Sequence, residues 1–347
     1  MRFTRRRAMQ GAVASMLTYQ VVGSIGSAKA QAEVGADAGG ETAMPADPVF
    51  GVSGDFALLA RRSPDQLSEL LATVAGAGAT VARFPVDWSA LQSKLGEFEW
   101  GLLEPLYSEL MWNGMKAIPV IVNTDSNGLD RFNNDDTGIT DIQDPLQSLT
   151  LALSGFFSRY GPQLGGIEVW SEPNGPDPET ALKSRDLQHA VGSVAEVGVG
   201  LGDDAGAPAI AGGLAIDEAG TWARFLPRLA SLGDAVEVAL HIPPPESLDD
   251  ASLGSYFMGP IDEASSAGIG RVWVCTAVPA GATDQDIDDL VGGWGQLVAH
   301  PNCAGFLVHT DLHDEDLSAS FDACLTGGER MSPDSPALAA AQTVWGT

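Results

Sequence analysis

Residues 167–174 read Ile-Glu-Val-Trp-Ser-Glu-Pro-Asn. In an extended segment successive side chains alternate, so Glu168, Trp170 and Glu172 share one face and Ile167, Val169 and Ser171 the other. Pro173 ends the strand, because it has no N–H for the ladder. Seven more short apolar runs surround this one: Val49–Val52, Thr80–Val86, Ala117–Val122, Ala207–Leu214, Ala235–Leu240, Arg271–Thr276 and Ala304–Val308, the eighth being Gly166–Trp170. They begin roughly 30–50 residues apart, the spacing of strand–helix units in a parallel sheet. Between them lie helical patterns. Asp65 to Val74 repeats apolar residues at helical spacing after Ser63-Pro64, and Leu102–Met111 and Leu146–Tyr160 do the same. Strands this apolar must be covered on both faces. Eight such units predict an α/β chain folded as a single-domain (β/α)8 TIM barrel over residues 48–347. The competing doubly wound open sheet lacks support, since no Gly-x-Gly-x-x-Gly and no P-loop follows the first run.

Polar residues gather where these runs close. Arg83 and Asp87-Trp88 belong to the second, Asn123-Thr124-Asp125 to the third and Ser171-Glu172-Pro173-Asn174 to the fourth. His241 closes the sixth, Cys275-Thr276 the seventh, and His309 and Asp311 the eighth. Barrel enzymes build their sites from the C-terminal ends of several strands, which is this distribution.

The motif Trp170-Ser171-Glu172-Pro173-Asn174 resembles the fourth-strand signature of the retaining (β/α)8 glycoside hydrolases often called clan A, which read Trp-Asn-Glu-Pro-Asn there. Gly78-Ala79 with Arg83-Phe84 and Trp88-Ser89 is similar to their second strand. Gly114 to Ile121 resembles the third, Arg159-Tyr160-Gly161 the approach to the fourth, and Pro336-Ala337-Leu338 with Val344-Trp345 the closing helix. The resemblance implies a carbohydrate substrate, with Glu172 as general acid/base. Arg83, Trp88, Trp170, Ser171, His241, Thr276 and His309 would then shape the sugar site. The chemistry suits those residue types: a glycosidic oxygen needs a proton as its bond breaks, and indole faces pack on sugar C–H surfaces. The plain alternative for Glu172 is a barrel-interior carboxylate paired with Arg83.

The pattern departs from the family in the seventh run. The resemblance calls for a second Glu there, as in Trp-Val-Thr-Glu. This chain has Val272-Trp273-Val274-Cys275-Thr276-Ala277, which puts Thr276, or Ala277 one residue on, at the nucleophile's position. Retaining hydrolysis uses two carboxyl groups about 5–5.5 Å apart. The family's His-x-Tyr is replaced by His241-Ile242-Pro243, and Ser171 stands for an Asn that binds a sugar hydroxyl. Asp311 and Asp125 are the candidates for a second group, able to activate water across the wider gap of about 6.5–9.5 Å that inversion tolerates. Two functional expectations follow: a hydrolase with a non-standard second group, or a catalytically silent barrel that binds carbohydrate or a cell-envelope partner. Glu237 has the parity of His241 but lies four residues deeper.

The 347 residues carry 18 Lys+Arg against 46 Asp+Glu, a formal net charge of −28, which argues against nucleic-acid binding. Residues 1–30 join Arg2, Arg5, Arg6 and Arg7 to a mildly apolar stretch and an Ala28-Lys29-Ala30 cleavage pattern. They read as a twin-arginine-like signal peptide, followed by a flexible leader over 31–47. The expectation is an exported monomer, extracellular, periplasmic or on the cell surface, with no membrane span in the mature chain. Its balance would be 13 Lys+Arg against 46 acids, or −33. Cys303 and Cys324 are a candidate disulfide in such a protein. No cofactor is expected. His309-x-Asp311-x-His313 is weighed as a metal site and set aside, and Asp284–Asp289 reads as a helix start, not a calcium loop.

Overall fold

Eight parallel strands, each hydrogen-bonded to the next in chain order, close on themselves. They are β1 (Val49–Ser53), β2 (Val81–Asp87), β3 (Lys116–Val122), β4 (Ile167–Val169), β5 (Ala209–Ala215), β6 (Val236–His241), β7 (Val272–Ala277) and β8 (Cys303–His309). Closure is made by β1 on β8, from Val49 opposite Gly305 to Ser53 opposite His309. The computed structural model describes residues 48–87, 91, 97–122, 145–169, 207–217, 219–233, 236–244, 250–279, 281–310, 332 and 335–346. The signal and leader assigned to residues 1–47 lie outside them. Each of the eight apolar runs forms a strand, within two residues at either end, so the (β/α)8 barrel expected from the sequence is the fold observed.

Among the described residues the α-helices are α1 (Phe56–Arg62), α2 (Pro64–Gly76), α3 (Glu104–Trp112), α4 (Pro145–Tyr160), α5 (Leu226–Ala230), α6 (Asp250–Ser266), α7 (Asp284–Val298) and α8 (Pro336–Trp345). Their starts follow local chemistry. The Thr283 hydroxyl accepts from the Asp286 N–H while the Asp286 carboxylate accepts from the Thr283 N–H, a reciprocal cap that opens α7. The acidic run Asp284–Asp289 is therefore a helix start, as expected. Ser335 caps α8 ahead of Pro336, whose missing N–H costs nothing at a first helical position. Arg159 and Tyr160 end α4. Arg159 pairs with Glu104 of α3 and lies over the Trp100 ring, while Tyr160 stacks on Tyr107 at 3.7 Å. The Arg-Tyr-Gly stretch is thus a clamp between α3 and α4. No helix among the described residues is long and apolar enough to cross a membrane.

Strand alternation divides the buried side chains into two sets. Val52, Ala82, Phe84, Val238, Val274, Phe306 and Val308 face the helices and merge with Phe56, Leu71, Phe257 and Trp294 into the main core. Val81, Ile118, Ile210, Ala239, Trp273, Cys275 and Leu307 form a second, smaller cluster inside the barrel. Trp273 occupies so much of that interior that a Cβ on Gly305, its register partner, would lie 2.2 Å from the indole. Its Nε1–H donates to Glu237, which also accepts from Arg271. Glu237 is therefore part of the lower packing, four residues below His241, as its position in the sequence indicates.

Candidate functional site

Above this apolar filling the interior turns polar. Arg83 of β2, Glu168 of β4 and His241 of β6 come from alternate strands, the arrangement by which barrels stack side chains in layers. Arg83 Nε donates to Glu168 Oε2 at 2.7 Å and Nη2 donates to Oε1 at 2.7 Å, a two-point fork. Nη1 donates to Ser53 Oγ at 2.9 Å, and Nη2 also lies 2.9 Å from His241 Nε2. His309 of β8 joins through its Nδ1, 3.4 Å from the same Ser53 hydroxyl. All five residues are at most 2% exposed. A charge taken that far from water persists only when paired and hydrogen-bonded, which is what the fork provides.

The fifth strand makes room for this group. Its register shifts between Gly212 and Leu214, and both Gly212 and Gly213 have positive φ, at 100° and 59°. Such backbone is natural to glycine and strained for other residues. A Cβ on Gly213 would lie 2.5 Å from Glu168 Oε1 and 3.0 Å from His241 Nε2. The bulge therefore brings bare backbone against the carboxylate and the imidazole.

The seventh strand settles which residue faces inward at its end. Cys275 pairs with Leu307 and Ala277 with His309, on the interior side. Thr276 pairs with Val308, on the face shared by Val274 and the main core. Thr276 is fully buried, and among the described residues its hydroxyl has no hydrogen-bond partner. The interior position at the end of β7 is thus Ala277, not Thr276, because alternation counted from Trp273 reaches 275 and 277. Arg83, His241 and His309 do meet, His241 directly at Arg83 and His309 through Ser53; Thr276 does not join them. Trp88, Trp170, Ser171, Glu172, Asp125 and Asp311 lie outside the described residues.

The pairing of Arg83 with Glu172, the plain alternative, involves a residue outside the described ones; within them the fork engages Glu168, four residues earlier. Glu168 has the same parity as Glu172, which was a signal for it. Ser53 and Gly213 carried no comparable signal, since a serine and a glycine in apolar strands are unremarkable until their neighbours are known. The proposed Cys303–Cys324 bridge is not formed: Cys303 is a free buried thiol whose Sγ–H points to the Gly305 carbonyl at 3.7 Å. Burial pushes that thiol up to about 12 from an ordinary 9.0. Among the described residues no group of three His, Cys, Asp or Glu side chains is placed to hold a metal ion.

No protein-family model matches the sequence, and no curated protein matches it. Solved structures do match. The Streptomyces cattleya GH5_18 protein in complex with GlcNAc has a TM-score of 0.62 at 15% identity, over 87% of this chain and 81% of that one. The endo-beta-1,4-mannanase of Thermotoga petrophila gives 0.61 at 14%, over 86% and 76%. The catalytic domain of a beta-amylase from Paenibacillus polymyxa gives 0.56 at 11%, over 86% and 97%. The chain shares its (β/α)8 barrel fold with these structures. At these identities the likeness is one of architecture, and site chemistry must be argued from the residues.

Proposed function

We propose that the chain is an exported, monomeric carbohydrate-binding barrel derived from glycosidases, in which double-displacement hydrolysis has been given up. One observation carries the reading: the interior end of β7, where the resemblance calls for a nucleophilic carboxylate, is Ala277. The two carboxylates described inside the barrel do not replace it. Glu168 is held by two guanidinium N–H groups, and Glu237 by Arg271 and Trp273. Sugar binding survives such a loss, because it rests on aromatic faces and hydrogen bonds and not on a covalent step. By resemblance Trp88, Trp170 and Ser171 supply those groups, together with Arg83, His241 and His309.

A second reading is kept by Glu172, which the Trp170-Ser171-Glu172-Pro173-Asn174 motif retains. Here Glu172 protonates the leaving oxygen while Asp311 or Asp125 activates water, with inversion at the anomeric carbon. The two readings part in one experiment. Residues 31–347 are tested for retention on immobilised polysaccharides and for release of a chromogenic aglycone, beside Glu172→Gln. The expected result is retention, with background release by both proteins. Release by the wild type that is lost in Glu172→Gln would install the hydrolase instead. Neither retention nor release would overturn both.

A further inference from the structure

The polar layer contains a hydrogen bond whose direction has a chemical consequence. A guanidinium has five N–H donors and no acceptor. Nη2 of Arg83 lies 2.9 Å from Nε2 of His241, so the imidazole nitrogen must accept. Glu168 Oε1 lies 3.9 Å from the same nitrogen, too far to take a proton from it. A neutral imidazole that accepts at Nε2 carries its proton at Nδ1, and which nitrogen is protonated decides what the ring offers its other neighbours.

Arg83 reaches this geometry because Glu168 clamps it. The carboxylate fork fixes the guanidinium plane through Nε and Nη2, and the second Nη2 hydrogen then projects at His241. The Nη1 bond to Ser53 lies outside this fork. The clamp also balances charge, because the Arg83 guanidinium and the Glu168 carboxylate cancel. Gly213 completes the unit, since any Cβ there would collide with both the Glu168 carboxylate and the His241 ring.

We propose that Glu168 is a positioning residue for His241: through Arg83 it holds the imidazole as the neutral tautomer protonated at Nδ1, while Gly213 leaves room for both side chains. The tautomer stands independently of the carbohydrate reading; only its use in aligning a sugar rests on that reading.

The test is nuclear magnetic resonance on residues 31–347 labelled with 15N-histidine, near neutral pH, with His241 assigned by its loss in His241→Gln. Protonated and unprotonated ring nitrogens have well-separated 15N shifts. The wild type is expected to show Nδ1 with a directly bound proton and Nε2 without one. Glu168→Gln removes the charge and the fork while keeping the size, and should convert His241 to a mixture of tautomers or to the Nε2-protonated form. Ser53→Ala, which touches Arg83 without touching the fork, should leave the wild-type pattern. If Glu168→Gln does not fold, Glu168→Asp retracts the carboxylate by one methylene and should shift the pattern in the same direction. A wild-type ring protonated at Nε2, or at both nitrogens, overturns the proposal. So does a folded Glu168→Gln or Glu168→Asp with the wild-type pattern. Loss of glycan retention with an unchanged tautomer would count against the binding reading alone.

Discussion

Arg83 and Glu168 stand 85 residues apart in sequence and meet in two 2.7 Å hydrogen bonds inside a closed barrel, each about 1% exposed. The pair joins the second strand to the fourth across the interior, where neither charge meets water. Breaking such a pair leaves the survivor unpaired, whereas replacing both members with apolar groups removes the desolvation cost as well. Glu168→Ala is therefore expected to lower unfolding free energy by about 3–5 kcal/mol. The double variant Arg83→Met/Glu168→Met should lose clearly less than the single one. Denaturant unfolding of the three proteins decides it; a double variant weaker than Glu168→Ala would contradict the argument.

Gly213 separates strain from collision. At Gly114, φ is +69° and a Cβ would meet nothing within 4 Å, so Gly114→Ala isolates the left-handed backbone cost, about 1–2 kcal/mol. Gly213→Ala has a similar φ but places its methyl 2.5 Å from a buried carboxylate oxygen. It should be the more damaging of the two by at least the cost of overpacking, about 1–3 kcal/mol. Equal melting temperatures would mean that the β5 bulge yields freely.

Cys303 sets a high-pH prediction. Its folded thiol is held up to about 12, against 9.0 for the free group. Between those values the unfolded chain releases the proton and the folded chain keeps it, so stability falls as pH rises through the window. Burial raises Tyr107 as well, and it acts in the same direction. The difference between wild type and Cys303→Ala isolates the thiol: the variant's stability should fall less steeply above pH 9. Thiol reagents should label position 303 only on unfolding.

The formal charge of −28 predicts that stability rises with salt. The acids are scattered from Glu33 onward and not gathered in one tail, so their mutual repulsion is screened as the Debye length shrinks from about 10 Å at 0.1 M to about 3 Å at 1 M. Melting temperature measured from low to molar salt should climb. A flat or falling curve would show that the surface carries no such strain.

The architecture was open to reading from one dimension because its signals are local. Short apolar runs, helical repeats and an acidic helix start depend on neighbours a few residues away, and all eight strands and the start of α7 followed them. The site was open only in part. Arg83, His241 and His309 were marked by polarity at strand ends, and they do converge. Thr276 was chosen by aligning a motif, and register moved the interior position to Ala277. A shift of one residue exchanges the two faces of a strand, so motif spacing alone cannot decide it.

By itself the sequence determined the barrel, its strand order and the absence of a carboxylate at the close of the seventh run, since these follow from residue type and period. Only the tertiary structure decided who pairs with whom. Arg83 took Glu168, Cys303 stayed a thiol, and Gly213 proved to be the space in which a carboxylate and an imidazole fit. Pairing inside a closed barrel depends on the stagger between strands distant in sequence, and that stagger is a property of the closed sheet, not of any one segment.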